Sequence, residues 1–144
     1  MKSIFTTLLL LITFTISSQE IPLKIKAALK NDDAKTLKEE LTKENINKCY
    51  EAEDTNYSLL ILAIKLNSKE CFNKLVNKKA DLDKDCGGKA PLIYTAKYGR
   101  LEMAKKLIAK GARLEKKYSG RTALDYAKKY QEKEVSDYLS SLEN

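Results

Sequence analysis

The chain repeats itself, and no other feature constrains its fold as tightly. Displacing the sequence by 32 residues brings Leu60, Leu92 and Leu124 into register, together with the small residues Ala63, Thr95 and Ala127. Leu75-Val76 falls on Leu107-Ile108, with Leu139 beneath Leu107, and Ala80 and Leu82 fall on Ala112 and Leu114. A period of roughly 33 residues marks a stack whose units are each too small to bury an apolar face alone and must cover one another. The unit carries its own punctuation. Pro91 suits a first helical position, where the missing N–H needs no partner. Gly99 separates two short apolar periods, and Gly111 stops the second. Each unit reads as turn, short helix, tight turn, longer helix and loop.

Ala90-Pro91-Leu92 through Thr95-Ala96, then Gly99, Leu101-Glu102-Met103, Leu107-Ile108 and Gly111-Ala112, together resemble an ankyrin repeat. Ser58 to Leu82 and Thr122 to Leu142 are similar, with more drift, and the resemblance covers nearly all of the chain after residue 22. It implies an all-α ankyrin-repeat solenoid of about four helix-turn-helix repeats, near 22–54, 55–87, 88–119 and 120–144, the first and last acting as caps. The chain departs from the family where a turn histidine is usual: Ile61, Ile93 and Asp125 stand there, and there is no histidine anywhere. Ala90 also lacks the capping side chain that Ser58 and Thr122 supply, at a cost of about 1 kcal/mol. Lys79 stands where Gly111 stands one repeat later, so a remodelled turn is expected there.

Residues 1–19 read differently from the rest. Lys2 provides a positive start, Ile4 to Ile16 is an apolar run broken only by threonines, and Ser17-Ser18 supplies small residues before Gln19. This is the pattern of a cleaved secretory signal peptide, which implies a secreted or periplasmic protein whose mature part is residues 20–144. An uncleaved N-terminal anchor is the alternative, and it would be the chain's one membrane contact; the run is shorter than the roughly 20 apolar residues of a span. Residues 1–19 contain one basic residue and no acid, so the remainder holds 26 basic and 20 acidic residues, a net charge of +6. Lysines are spread over every repeat beside acids, which reads as solvated helix faces rather than a nucleic-acid stripe. The excess favours acidic partners and faster encounter with them at low salt.

Along the stack, Ile25, Ala28, Leu37 and Leu41 align with the second unit at a spacing of 35, with Asn31-Asp32-Asp33 as turn and N-cap. Lys24, Lys26, Lys30, Lys38 and Glu39 give this first unit the polar outer face of a cap. The connection 45–57 is about four residues longer than its counterpart, and is either an ordinary loop insertion or a recognition loop. Leu59 to Leu66 is nearly continuously apolar, as a covered mid-stack helix requires. The last unit ends in polar Ser140, Ser141, Glu143 and Asn144.

Cys71 beside Phe72 reads as a small buried hydrophobe. Cys49 and Cys86 lie in consecutive inter-repeat loops, and two states stay open for them. Export would favour a disulfide between them, whereas equivalent points on neighbouring repeats are normally too far apart unless the four-residue insertion closes the gap. Without histidine there is no Ser/His/Asp or Cys/His arrangement and no zinc-ligand spacing. Gly87-Gly88 before a helix is explained by the inter-repeat turn before any phosphate-cradling role. No enzyme, no cofactor, no metal and no small-molecule substrate is expected.

The resemblance implies a protein-binding module, monomeric, whose concave face and loop tips hold an acidic protein partner. The helix-end trio Leu66, Tyr98 and Tyr130, flanked by Lys97, Arg100 and Lys129, forms the candidate contact surface, because exposed aromatics beside cations suit interface hot spots. Lys84, Asp85, Lys117 and Tyr118 are the loop-tip candidates. The competing reading has Tyr98 and Tyr130 packed against neighbouring helices. Two other functions are compatible with the sequence: an immunity or inhibitor protein against an exported toxin or enzyme, and a charge-driven binder of anionic surfaces or nucleic acid.

Overall fold

Four helix pairs follow the period, and each is built from the same local signals. The computed structural model describes residues 19–144; residues 1–18, which hold nearly all of the segment read as a signal peptide, lie outside the described residues. The pairs are α1 (Leu23–Asn31) with α2 (Ala34–Glu40), α3 (Leu59–Leu66) with α4 (Lys69–Asn77), α5 (Pro91–Tyr98) with α6 (Leu101–Ala109), and α7 (Ala123–Lys129) with α8 (Lys133–Ser141). The first helices stack on one another as one layer and the second helices as another.

The first helices begin where capping chemistry allows. Ser58 accepts from the Ile61 N–H at 3.3 Å, and Thr122 exchanges hydrogen bonds with Asp125 in a capping box. Asp125, at the turn-histidine position, thus stabilises its turn by a different route. Ala90 makes no side-chain cap and relies on Pro91 at the first helical position.

They end on a left-handed residue in every repeat: Asp32, Asn67, Gly99 and Gln131 all have positive φ. The following N–H then reaches back five residues, as in Asp33 to the Ala28 carbonyl (2.8 Å) and Arg100 to that of Thr95 (2.9 Å). At the ends of α4 and α6, Lys79 takes φ 61° where Gly111 takes 101°. Ala80 and Ala112 close the same bond, to Leu75 at 3.0 Å and Leu107 at 2.9 Å. The remodelling expected at Lys79 is absent, because the lysine accepts the left-handed geometry rather than shifting the turn.

The connection 45–57 is not a plain loop. Within it β1 (Tyr50–Ala52) pairs antiparallel with β2 (Thr55–Tyr57), and the two turn residues Glu53 and Asp54 both have positive φ. That is the backbone of a type I′ hairpin, whose twist suits paired strands. Tyr50 and Tyr57 face each other across the ladder and are buried. Cys49, just before β1, is bonded to Cys86, with Cα atoms 5.7 Å apart. A link across 37 residues restricts the unfolded chain by about 3–4 kcal/mol in loop entropy.

The core lies between the layers. Leu60, Leu92, Leu75, Leu107 and Leu139 are buried, and Ala63, Thr95 and Ala127 are fully so. Thr95 satisfies its hydroxyl by donating to the Leu92 carbonyl at 2.7 Å. Leu92 sits in an interior repeat, where no collapse of a free end can fill a vacancy. Leu92→Ala should therefore destabilise the fold by about 2–5 kcal/mol, read as a lowered melting temperature. An unchanged melt would contradict the register.

Candidate protein-binding face

From the second repeat onward each first helix ends on a lysine followed by a large side chain at the same register: Lys65-Leu66, Lys97-Tyr98 and Lys129-Tyr130. A stack with a constant period sets equivalent side chains in a row. Leu66 is 47 % and Tyr130 40 % exposed, while Tyr98 is half-buried. The two tyrosines do pack, but on their own helices. Tyr98 lies nearly parallel to Tyr94, ring centroids 6.2 Å apart, and Tyr130 to Tyr126 at 6.4 Å. Tyr57 of the hairpin meets Tyr94 edge-on at 5.9 Å. A ladder of tyrosines thus runs from the hairpin across α5, and a second pair continues on α7.

Cations interleave this ladder. The Lys97 ammonium stands 5.2 Å from the Tyr98 centroid and 5.6 Å from that of Tyr130, and Lys129 stands 5.5 Å from Tyr130. Lys65 lies over Tyr57 at 4.0 Å and also pairs with Glu53 at 3.4 Å. Lys89 lies over Tyr118 at 4.2 Å and near Tyr126 at 5.8 Å. Burial of the Tyr94 hydroxyl raises its pKa well above the ordinary phenol, with the neighbouring Tyr57, Tyr98 and Tyr118 hydroxyls adding to the effect. Lys65, Lys89, Tyr57, Tyr94 and Tyr126 are members of this face that the helix-end reading of the sequence passed over. Lys65 was legible as the third copy of Lys97 and Lys129, whereas Lys89 stands in register with Tyr57 and Arg121 and carries no such signal.

Other candidates have work inside the stack. Arg100 lies 5.8 Å from the Tyr98 centroid, but its guanidinium donates to the Ile64 and Lys65 carbonyls at 3.3 and 3.4 Å, capping the C-terminus of α3. Asp85 accepts from the Gly87 N–H (3.0 Å) and pairs with Lys116 (3.1 Å). Those two partners hold its carboxyl below the usual range. Lys84 is half-buried on the same loop and Lys117 is exposed on the next. Tyr118 is half-buried under Lys89 and accepts the Tyr126 hydroxyl at its carbonyl (3.4 Å). Toward the first repeat, Leu66 lines a 530 Å³ hollow with Leu23, Leu62 and the stem of Lys65. The larger hollow, 720 Å³, lies across the second-helix layer beside Phe72, Arg100, Leu101 and Met103, away from the tyrosines.

A family model for ankyrin repeats, in three copies, matches residues 23–118 and 60–144. No curated protein matches the chain.

The cysteines bear on catalysis. Cys49 and Cys86 are tied to each other, and Cys71 is fully buried on α4. Burial, reinforced by Asp32, pushes the Cys71 thiol from an ordinary 9.0 up to about 12. The native protein should thus resist maleimide at about pH 8 and react only after denaturation, because the thiolate is the nucleophile. The contribution of this thiol to stability is complete below the unfolded value of 9.0 and is lost as pH rises toward about 12. Rapid labelling of the native chain would contradict the buried placement.

Proposed function

Because the chain belongs to the ankyrin-repeat family, we propose that it is an exported protein-binding module that holds its partner on the tyrosine- and lysine-lined first-helix layer. Ankyrin repeats are protein–protein interaction modules. The observation that supports this particular face is the juxtaposition of half-buried or exposed Tyr98 and Tyr130 with Lys97 between their rings. Large aromatics beside a cation bring contact area at little entropic cost. The concave side of the stack, the loop tip at Lys117 and Tyr118, and the apolar hollow beside Leu66 extend the same surface. The partner is acidic, in keeping with a net charge of +6 after residue 19, and the binder acts as a monomer.

Export rests on the apolar run of residues 4–16 behind Lys2 and on the Cys49–Cys86 bond, which an oxidising compartment sustains. Intact-mass measurement of the protein recovered from its own cells should give a chain starting near residues 18–20, lighter by two hydrogens than its fully reduced form. A chain that keeps Met1 and three free thiols would refute the exported state.

Binding is tested by affinity capture from an extract of the same cells, using the purified protein beside a Tyr98→Ala, Tyr130→Ala double variant. The expected result is one protein retained at moderate salt and lost with the variant. If that protein is an exported toxin or enzyme, the chain is its inhibitor. Recovery that ignores the two tyrosines but collapses with salt would replace this reading with a charge-driven one.

A further inference from the structure

Three ammonium groups converge on one tyrosine cluster. Lys97 and Lys129 each stand within 5.6 Å of the Tyr130 centroid, on adjacent repeats, so they are no more than about 11 Å apart. The Tyr126 ring that stacks on Tyr130 is the one Lys89 approaches at 5.8 Å. Among the described residues none of the three forms an ion pair, while Lys65 and Lys116 on the same side of the stack have Glu53 and Asp85. The acidic residue of α7, Asp125, is engaged with Thr122 in the capping box. Desolvation, with repulsion from Lys97 and Lys129, lowers the Lys89 pKa, and only the Tyr130 hydroxyl opposes it. The ring faces draw the lysines together and leave their charge without a counter-ion.

We propose that Lys89, Lys97 and Lys129, backed by Tyr118 and Tyr130, form an anion seat that grips neighbouring carboxylates on an extended acidic stretch of the partner protein. This rests on the protein-binding reading above and narrows it to a kind of sequence. In an extended strand, side chains two residues apart share a face at roughly 7 Å, which is within the limit of about 11 Å on the Lys97–Lys129 separation. Lysine meets such carboxylates as a point charge needing no fixed fork, and tyrosine rings between the charges accept the methylenes of glutamate side chains.

The test is fluorescence anisotropy on the purified full protein with a fluorescein-labelled peptide of alternating glutamate and glycine, beside its glutamine counterpart. The glutamate peptide should bind, and the glutamine peptide should not. A Lys89→Gln, Lys97→Gln, Lys129→Gln variant should lose about tenfold or more in affinity, as expected for removing several close charge contacts. The corresponding triple Lys→Arg variant should keep binding. Lys35→Gln, Lys43→Gln, Lys110→Gln removes the same net charge elsewhere and should lose no more than about twofold. Equal losses in the two glutamine triples, or equal binding of both peptides, would overturn the seat. So would a single-stranded oligonucleotide or phosphatidylglycerol vesicles binding as tightly with the same lysine dependence. Capture of the cellular partner separates the two readings. If it needs Tyr98 and Tyr130 but ignores the three lysines, the seat is wrong and the binding face stands; if it ignores the tyrosines, the face itself is wrong.

Discussion

The stack depends on how each second helix begins. A helix leaves its first N–H groups and last carbonyls without partners, and at the first two junctions neighbouring repeats satisfy these ends for each other. The residue that opens each second helix, in the series Asp33, Ser68, Arg100 and Glu132, reaches from the second pair onward toward the first-helix terminus of the preceding repeat. The Ser68 hydroxyl donates to the Leu29 carbonyl, and Arg100 donates to Ile64 and Lys65. The Glu132 carboxylate lies against Gly99, where a Cβ would collide with it. Asp32 returns the interaction, accepting from the Glu70 and Cys71 N–H groups at 3.1 and 2.9 Å at the start of α4. The lock is polar and directional, so it sets the register that apolar packing between the layers alone would leave free to slide.

Register in turn makes the face. Once the repeats are locked at one spacing, any residue kept at one point of the unit becomes a row, and the Lys-Tyr pairs at the ends of α5 and α7 become an alternating cationic and aromatic strip. The same lock explains why Arg100, beside Tyr98 in sequence and in space, is a poor candidate for a free partner contact. Its donors face carbonyls of α3. Position next to a site and membership of it differ by where the hydrogen bonds go.

The period, the helix order, the buried leucines and the helix-end tyrosines were all legible in the sequence, because each is a side-chain pattern. Backbone handedness was not. The left-handed turn is visible at Gly99, yet Asp32, Asn67 and Gln131 adopt it without glycine, and Lys79 does so where remodelling was expected. Asp and Asn tolerate that region through short polar side chains; for Lys79 and Gln131 the surrounding helix-end bonds impose it. The hairpin at 50–57 escaped notice for the same reason, since Glu53-Asp54 is not among the dipeptides that announce a type I′ turn. Lys89 escaped because its place in the face comes from the fold of a loop onto Tyr118, not from the period.

What distinguishes this strip from the many other solvated lysines is order before binding. A free lysine side chain carries about 2 kcal/mol of rotamer entropy that a partner must remove. An ammonium held over a tyrosine has already lost part of it, in exchange for a cation–π attraction of roughly 0.5–1 kcal/mol. Lys97, between two rings from adjacent repeats, is restrained by the same packing that fixes the stack. Rigid placement of charge on a rigid scaffold lowers what association has to overcome. Repulsion of Lys89 by Lys97 and Lys129 works in the same direction, because it raises the free state and a bound anion relieves it. A surface that is ordered and electrostatically strained while empty is suited to binding, and the repeat lock keeps it so.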